Sequence, residues 1–299
     1  MTESHGRRAI GMGFGWVLLV GFLVVAGQAA AQDKSFLWQV QSDKSRIYIL
    51  GSVHFLKPDN YPLKQTIETA FDSTQNLVLE IDLKSADAAT VQRVTFEKGI
   101  NRDGTTLRQN VSPDTYSLAE KQAKELGIDI RALESLKPWV VALTMTAVQL
   151  QKLGFDPNAG VDRYLASRAM KSGKTTTGLE TVAFQIGLMD QLSQNDQESM
   201  LRQSLQNMDR LEKSLDRIIR SWAAGDVAAL EDLLFSGMRE YPAVHQKIIV
   251  ERNRRWLPQI EKIIEQGENT LVVVGAAHLV GKDGVIELLK SRGYRVEQL

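Results

Sequence analysis

Ile47-Tyr48-Ile49-Leu50-Gly51-Ser52-Val53-His54-Phe55-Leu56, early in the chain, and Leu271-Val272-Val273-Val274-Gly275-Ala276-Ala277-His278-Leu279-Val280, near its end, follow one pattern. Each has four strand-forming residues, a glycine, two small or apolar residues, a histidine and two more apolar residues. Nearly continuous aliphatic runs ending at glycine read as buried strands of an α/β sheet. In open α/β sheets ligands bind beyond the carboxyl ends of the strands. A histidine three residues past each glycine therefore aims both imidazoles at one rim. A lone copy of this pattern is more often a buried, hydrogen-bonded histidine than a ligand. Two copies in a chain with four histidines point to a shared site.

Around these anchors the hydrophobic periodicity sets the architecture. Residues 36–40 and 46–51 read as strands joined by a polar turn, hence a hairpin. Leu63, Ile67, Ala70 and Phe71 have helical spacing, and residues 76–81 form a short apolar strand. At the other end, a helix over about 284–292 stops at Gly293 and leads to a last strand at 294–298. Between them lie helical patterns at roughly 85–98, 112–126, 137–152, 160–172, 181–220 with a break, 225–238 and 241–266. Ser112-Pro113 marks one helix start, and Gly127 and Gly154 mark stops. The β-branched segment 174–180 predicts one intervening strand. The expected fold is α/β (α+β mixed): a central mixed sheet formed by the N- and C-terminal βα units, with a large, mainly helical insertion at about 85–266. Residues 32–299 read as a single domain.

Composition narrows the chemistry. The 299 residues carry 36 Lys+Arg against 36 Asp+Glu and no cysteine. Neutrality gives no electrostatic reason to expect nucleic acid or an anionic membrane as partner. Without cysteine, any metal must be held by histidine, carboxylate or carbonyl groups. Residues 1–31 read as a signal peptide: Arg7 and Arg8 precede an apolar stretch, and Ala29-Ala30-Ala31 supplies a small-residue cleavage site. The protein is then expected to be periplasmic or secreted, free of the membrane after cleavage. An uncleaved anchor is the competing reading, and the arginine pair also permits twin-Arg export.

Carboxylates reach the same rim. Glu80 closes an apolar strand, where a carboxylate is costly unless paired with a proton, cation or metal; the plain alternative is a strand-end residue in solvent or paired with arginine. Glu180 ends the 174–180 segment, where it could equally serve a helix start. In Glu251-Arg252-Asn253-Arg254-Arg255-Trp256, three arginines and an asparagine offer electrophilic help, or simply a solvated helix face. His245 reads as an ordinary helix residue, and Asp72, Asp156 and Asp162 as caps or surface groups. Ser52 lies beside a histidine without a hydrolase triad motif. Two histidines and one or two glutamates suit one divalent cation of the manganese, cobalt, zinc or iron type, able to activate water.

Trp38, Ile49-Leu-Gly-Ser-Val-His54, Tyr61-Pro62-Leu63, Leu77-Val-Leu-Glu-Ile81, Gly178-Leu-Glu180, Glu251-Arg-Asn253 with Trp256, and Gly275-Ala-Ala-His-Leu-Val-Gly281 together resemble the TraB/GumN family, which includes the animal Tiki proteins. The resemblance runs from about residue 36 to 299. It implies a two-GxxH metal-dependent hydrolase fold, and in Tiki members a metalloprotease that trims a secreted signalling protein. It implies His54 and His278 as metal ligands with Glu80 as acidic partner, and Glu180, Arg252 and Asn253 in substrate polarisation or support of the ligands. Bacterial GumN-type members are exported. The expected activity is a metal-dependent hydrolase, foremost a peptidase, acting on a peptide or other small amide or ester. The alternatives are a non-catalytic extracellular peptide-binding protein or a polysaccharide-pathway accessory protein with the same cleft.

Overall fold

Leu37–Val40 (β1) and Ile47–Ser52 (β2) form the expected antiparallel hairpin. They belong to a computed structural model that describes residues 34–83, 86–238 and 241–299; the signal peptide expected at 1–31 lies outside the described residues. Asn76–Ile81 (β3), Thr175–Glu180 (β4), Thr270–Gly275 (β5) and Val296–Gln298 (β6) complete a six-stranded mixed sheet of order β4-β3-β5-β2-β1-β6. The β2–β5, β5–β3 and β3–β4 pairs are parallel, while β1 is antiparallel to both β2 and β6. Four parallel strands therefore end along one rim. Ser52 stands opposite Gly275 and Ile81 opposite Glu180. Every strand residue of β5 is buried, as its aliphatic run predicts, whereas β4 at the sheet edge is largely exposed.

Gln65–Asp72 (α1) links β2 to β3. The mainly helical insertion between β3 and β5 comprises Ala88–Gly99 (α2), Leu107–Asn110 (α3), Pro113–Leu126 (α4), Pro138–Lys152 (α5), Val161–Lys171 (α6), Val182–Asp190 (α7), Gln194–Gln206 (α8), Leu211–Ala223 (α9), Val227–Phe235 (α10), Pro242–His245 (α11) and Glu251–Gln266 (α12). Among the described residues β4 is the one named strand in that interval. Val285–Ser291 (α13) precedes β6.

The long helical patterns are divided more finely than periodicity shows. The 181–220 stretch breaks twice, and Ser193 starts α8 by accepting from the Asp196 backbone N–H. The 241–266 stretch begins with the short α11, passes through a π-helical turn at Gln246–Val250 and only then becomes α12. The short α3 is closed by a Thr106/Gln109 capping box, a signal too local for an amphipathic period to reveal.

Two hydrophobic clusters result. One envelops the sheet, with Ile49, Leu50, Val272 and Trp256 fully buried. The other joins α3, α4, α5 and α8 through Leu107, Ala119, Val141, Met145 and Leu201. Glu198 of α8 ties the second cluster to the start of α4. It accepts from Ser112 N (2.9 Å), Ser112 Oγ (2.5 Å) and Thr115 Oγ1 (2.8 Å). These bonds outweigh burial and lower the Glu198 pKa. Its contribution is thus present above the ordinary glutamate range and is lost as pH falls through the depressed value. Glu198→Ala is expected to cost about 1–3 kcal/mol at pH 7 by orphaning these donors. Urea unfolding at pH 7 and pH 3 should show the wild-type advantage shrinking in acid; an equal advantage at both would reject this account.

Candidate functional site

His54 follows β2 and is held from outside by the start of α6. Val161 N donates to Val53 O at 3.0 Å, and a methyl group on Gly160 would lie 2.4 Å from His54 O, so only glycine permits this approach. Asp162, in the first turn of α6, thereby brings Oδ1 to 3.0 Å from His54 Nδ1. Half of the His54 side chain (53 %) opens to the cleft. Its surroundings disfavour the charged form, but the Asp162 hydrogen bond and the Asp162 and Glu80 charges outweigh them and push its pKa to about 9. Asp162 is therefore not the plain cap or surface residue expected. Nothing in its sequence context separates it from ordinary acidic residues at helix starts.

His278 is the buried counterpart, carried by a tight turn directly after β5. Its Nδ1 is 2.6 Å from Asn253 Oδ1, and Asn253 Nδ2 donates to His278 O and Asp283 O. An amide oxygen only accepts, so this network assigns the imidazole proton to Nδ1 and leaves Nε2 as acceptor. Arg252 Nη1 donates to that Nε2 at 3.0 Å. Burial pushes the His278 pKa down to about 3 against the pull of Glu80, so the ring is neutral at pH 7. Trp256 packs beside it, ring centroids 4.4 Å apart.

The carboxylates face one another across the same guanidinium. Glu80 Oε1 accepts from Gly275 N at 2.7 Å; its Oε2 accepts from Arg252 Nη2 at 2.6 Å and Gln185 Nε2 at 3.0 Å. Burial opposes the charge, but His278, Arg252, His54 and the Gly275 N–H hold the Glu80 carboxyl far below the usual range. Glu180 Oε2 accepts from Arg252 Nε at 3.0 Å and Gln185 Nε2 at 3.2 Å. Glu180 Oε1 is buried without a hydrogen-bond partner. Arg252 is 4.6 Å from the Trp256 ring. The basic segment of α12 thus divides: Arg252 and Asn253 are buried, while Arg254 and Arg255 are exposed.

Gly275 lies where the groups converge. A methyl group there would be 3.1 Å from Glu80 Oε1, 3.3 Å from His54 Nε2 and 3.6 Å from His278 Cδ2. All six residues singled out from sequence, His54, Glu80, Glu180, Arg252, Asn253 and His278, therefore meet at one end of the sheet. A cleft of about 350 Å³ opens over Ser52, His54, Glu80, Asp162 and Gln185. Gln185, which bridges both glutamates, is missed by the sequence reading because its neighbours in α7, Val182-Ala-Phe-Gln-Ile186, include no charged or motif residue to mark it. A larger cavity of about 610 Å³ lies apart from these carboxylates, between α10 and residues 280–283. His245 lines that one, edge-on to Phe235 at 4.9 Å, and takes no part in the cluster.

Among the described residues no three His, Asp or Glu side chains stand ready as a metal-ligand group. The donor chemistry nonetheless fits a divalent ion. Each imidazole is held at Nδ1 by an oxygen acceptor, the usual support of a metal-ligating histidine. The buried Glu180 Oε1 is an unused acceptor in the same cluster. Arg252 is the departure, because it already occupies the His278 Nε2 lone pair.

A parallel core whose strand ends gather two imidazoles, two carboxylates and a buried guanidinium defines an α/β protein with a histidine–carboxylate centre. The chain belongs to the TraB/PrgY/gumN family, whose model matches residues 36–298. It is 21% identical to an uncharacterized protein of Treponema pallidum, over 88% of this chain and 82% of that one. It is 21% identical to the uncharacterized protein YbaP of Escherichia coli, over 81% and 87% respectively. It is also 22% identical to a protein named Metalloprotease TIKI homolog in Nematostella vectensis, over 88% of this chain and 66% of that one. No solved structure matches the chain. No helix among the described residues is long and apolar enough to cross a membrane.

Proposed function

We propose that this protein is an exported metal-dependent hydrolase of peptides or other small amides or esters. One divalent ion, of the manganese, cobalt, zinc or iron type, would be held by His54, His278 and Glu80. The observation that carries this reading is the convergence of His54 Nε2, Glu80 Oε1 and the His278 ring on Gly275. The distant relatives named metalloproteases support it. Residues 32–299 act as one domain in this reading, released to the periplasm or medium once residues 1–31 are removed.

The ion would supply Lewis acidity, acidifying a water and polarising a carbonyl. The protein supplies the rest. Asp162 and Asn253 fix the two imidazoles through Nδ1. Arg252 and Gln185 hold both glutamates in place and leave Glu180 Oε1 free to take the proton of an entering water. Metal analysis of the wild type beside His54→Ala/His278→Ala, with peptide-library cleavage, tests the proposal; equal metal content in both proteins would sink it. Asp162→Asn is expected to keep the fold and weaken metal affinity about 10–100-fold, because it removes the charge that orients and strengthens His54. Calorimetric metal titration checks that.

One observation favours a second reading. With Arg252 on His278 Nε2 and on Glu80, the polar network is largely closed on itself, as suits a non-catalytic peptide-binding protein. Peptide binding unaffected by metal, with no cleavage under any of the four ions, would select it.

A further inference from the structure

Arg163 follows Asp162 on α6. It is exposed and makes no hydrogen bond or ion pair among the described residues. It stands in the wall between two adjoining depressions, the cleft over His54 of about 350 Å³ and a second of about 210 Å³, which also share Leu79 and Leu83. The remaining walls are mostly apolar: Phe55 and Val91 line the first, and Met170, 66 % exposed, lines the second. The nearby carboxylates are engaged elsewhere. Asp162 faces His54, Glu80 is held by Arg252, and Asp82, in the second depression, has an interaction of its own. An unpaired guanidinium beside an apolar cleft presents a fork of N–H donors that matches a carboxylate.

We propose that Arg163 anchors a substrate carboxylate, so that the cleft selects a peptide whose apolar side chain enters beside His54 with a carboxylate next to it. This rests on the peptide reading of the same cleft. Either an acidic side chain or a free carboxyl terminus presents the required chemistry.

Four peptides separate these sources. All share one apolar residue, followed by an internal glutamate, an internal glutamine, a free terminal carboxylate or its amide. Fluorescence anisotropy with chelator present measures binding without turnover, on the wild type and on Arg163→Ala, Arg163→Lys and Arg163→Glu. At least one carboxylate peptide should bind the wild type about tenfold more tightly than its neutral partner, the scale of one charge-assisted hydrogen bond. The preference should vanish in Arg163→Ala, persist in part in Arg163→Lys and reverse in Arg163→Glu. Where metal-supplemented cleavage occurs, KM should carry the effect and kcat should not. Equal binding of all four peptides, binding of none, or a preference retained by Arg163→Ala overturns the proposal. Cleavage without carboxylate preference overturns it and leaves the hydrolase reading intact. Carboxylate-selective binding with no cleavage under any of the four ions supports Arg163 and overturns the hydrolase.

Discussion

Arg252→Met is expected to lower the free energy of unfolding by about 3–5 kcal/mol at pH 7, the scale for removing one member of a buried ion-pair network. The Arg252 side chain is 8 % exposed and the carboxylates it binds, Glu80 and Glu180, are 14 % and 3 % exposed. Without the guanidinium two buried carboxylates face each other, hydrogen-bonded only to Gln185 and the Gly275 N–H, with the two imidazoles beside Glu80. Methionine fills much of the stem volume beside Trp256, so the loss reports charge more than cavity. The pH dependence gives the signature. In the wild type the Glu80 carboxyl is held low, so its contribution is present above the ordinary glutamate range and fades as pH falls through the depressed value. In the variant burial dominates and favours the protonated acids, so its deficit should be largest near pH 7 and shrink towards pH 4. Denaturant unfolding across that range checks both signs. A variant within about 1 kcal/mol of the wild type at pH 7 would show that the clamp is not what holds the pair.

Much of this site was legible because its residues announce themselves by context. His54 and His278 each stand three residues past a glycine at or next to the end of an apolar strand, and Glu80 interrupts an apolar strand, so the patterning and polarity place them at one rim. The parallel pairing of β2, β5, β3 and β4 turns those positions into neighbours. By residue pattern alone Arg252 and Asn253 were visible only as part of a basic run, and it was the family resemblance that singled them out. Periodicity could not tell the inner pair from the exposed Arg254 and Arg255, because the π-turn at Gln246–Val250 resets the helical phase just before them. Asp162 and Gln185 were beyond reach for a different reason: each acts through a contact across more than a hundred residues, with no local pattern that requires it. The pairing of His278 Nε2 with Arg252 belongs to the same class, and it is the feature that most qualifies the simple picture of two equivalent histidines.

That inequivalence yields the second large effect. If the proposed function holds, His54→Ala and His278→Ala should each abolish specific metal retention and hydrolysis, yet differ in what they do to the fold. His278 is buried, hydrogen-bonded at both nitrogens and packed on Trp256, so its removal leaves a cavity and unpaired Asn253 and Arg252 groups. A loss of about 2–4 kcal/mol follows from those combined mechanisms. His54 is half exposed, so its replacement leaves no buried cavity or orphaned buried donor and should lower the metal-free melting temperature at pH 7 by less than His278→Ala does, through loss of the Asp162 ion pair alone. The wild type should also show a steep pH dependence. The His54 pKa is raised to about 9, so its protonated form contributes stability fully below the unfolded value and loses it as pH rises through about 9. Below that value a ligand must displace the proton, so the apparent affinity for manganese, cobalt or zinc should rise about tenfold per pH unit between pH 6 and 8. His278, already neutral, adds no slope there; what it requires is that Arg252 Nη1 leave its Nε2. Calorimetric titration of the wild type at several pH values, beside thermal melts of the two alanine variants, tests the whole scheme. Metal binding that survives His54→Ala, or an affinity flat with pH, would remove His54 from the ligand set.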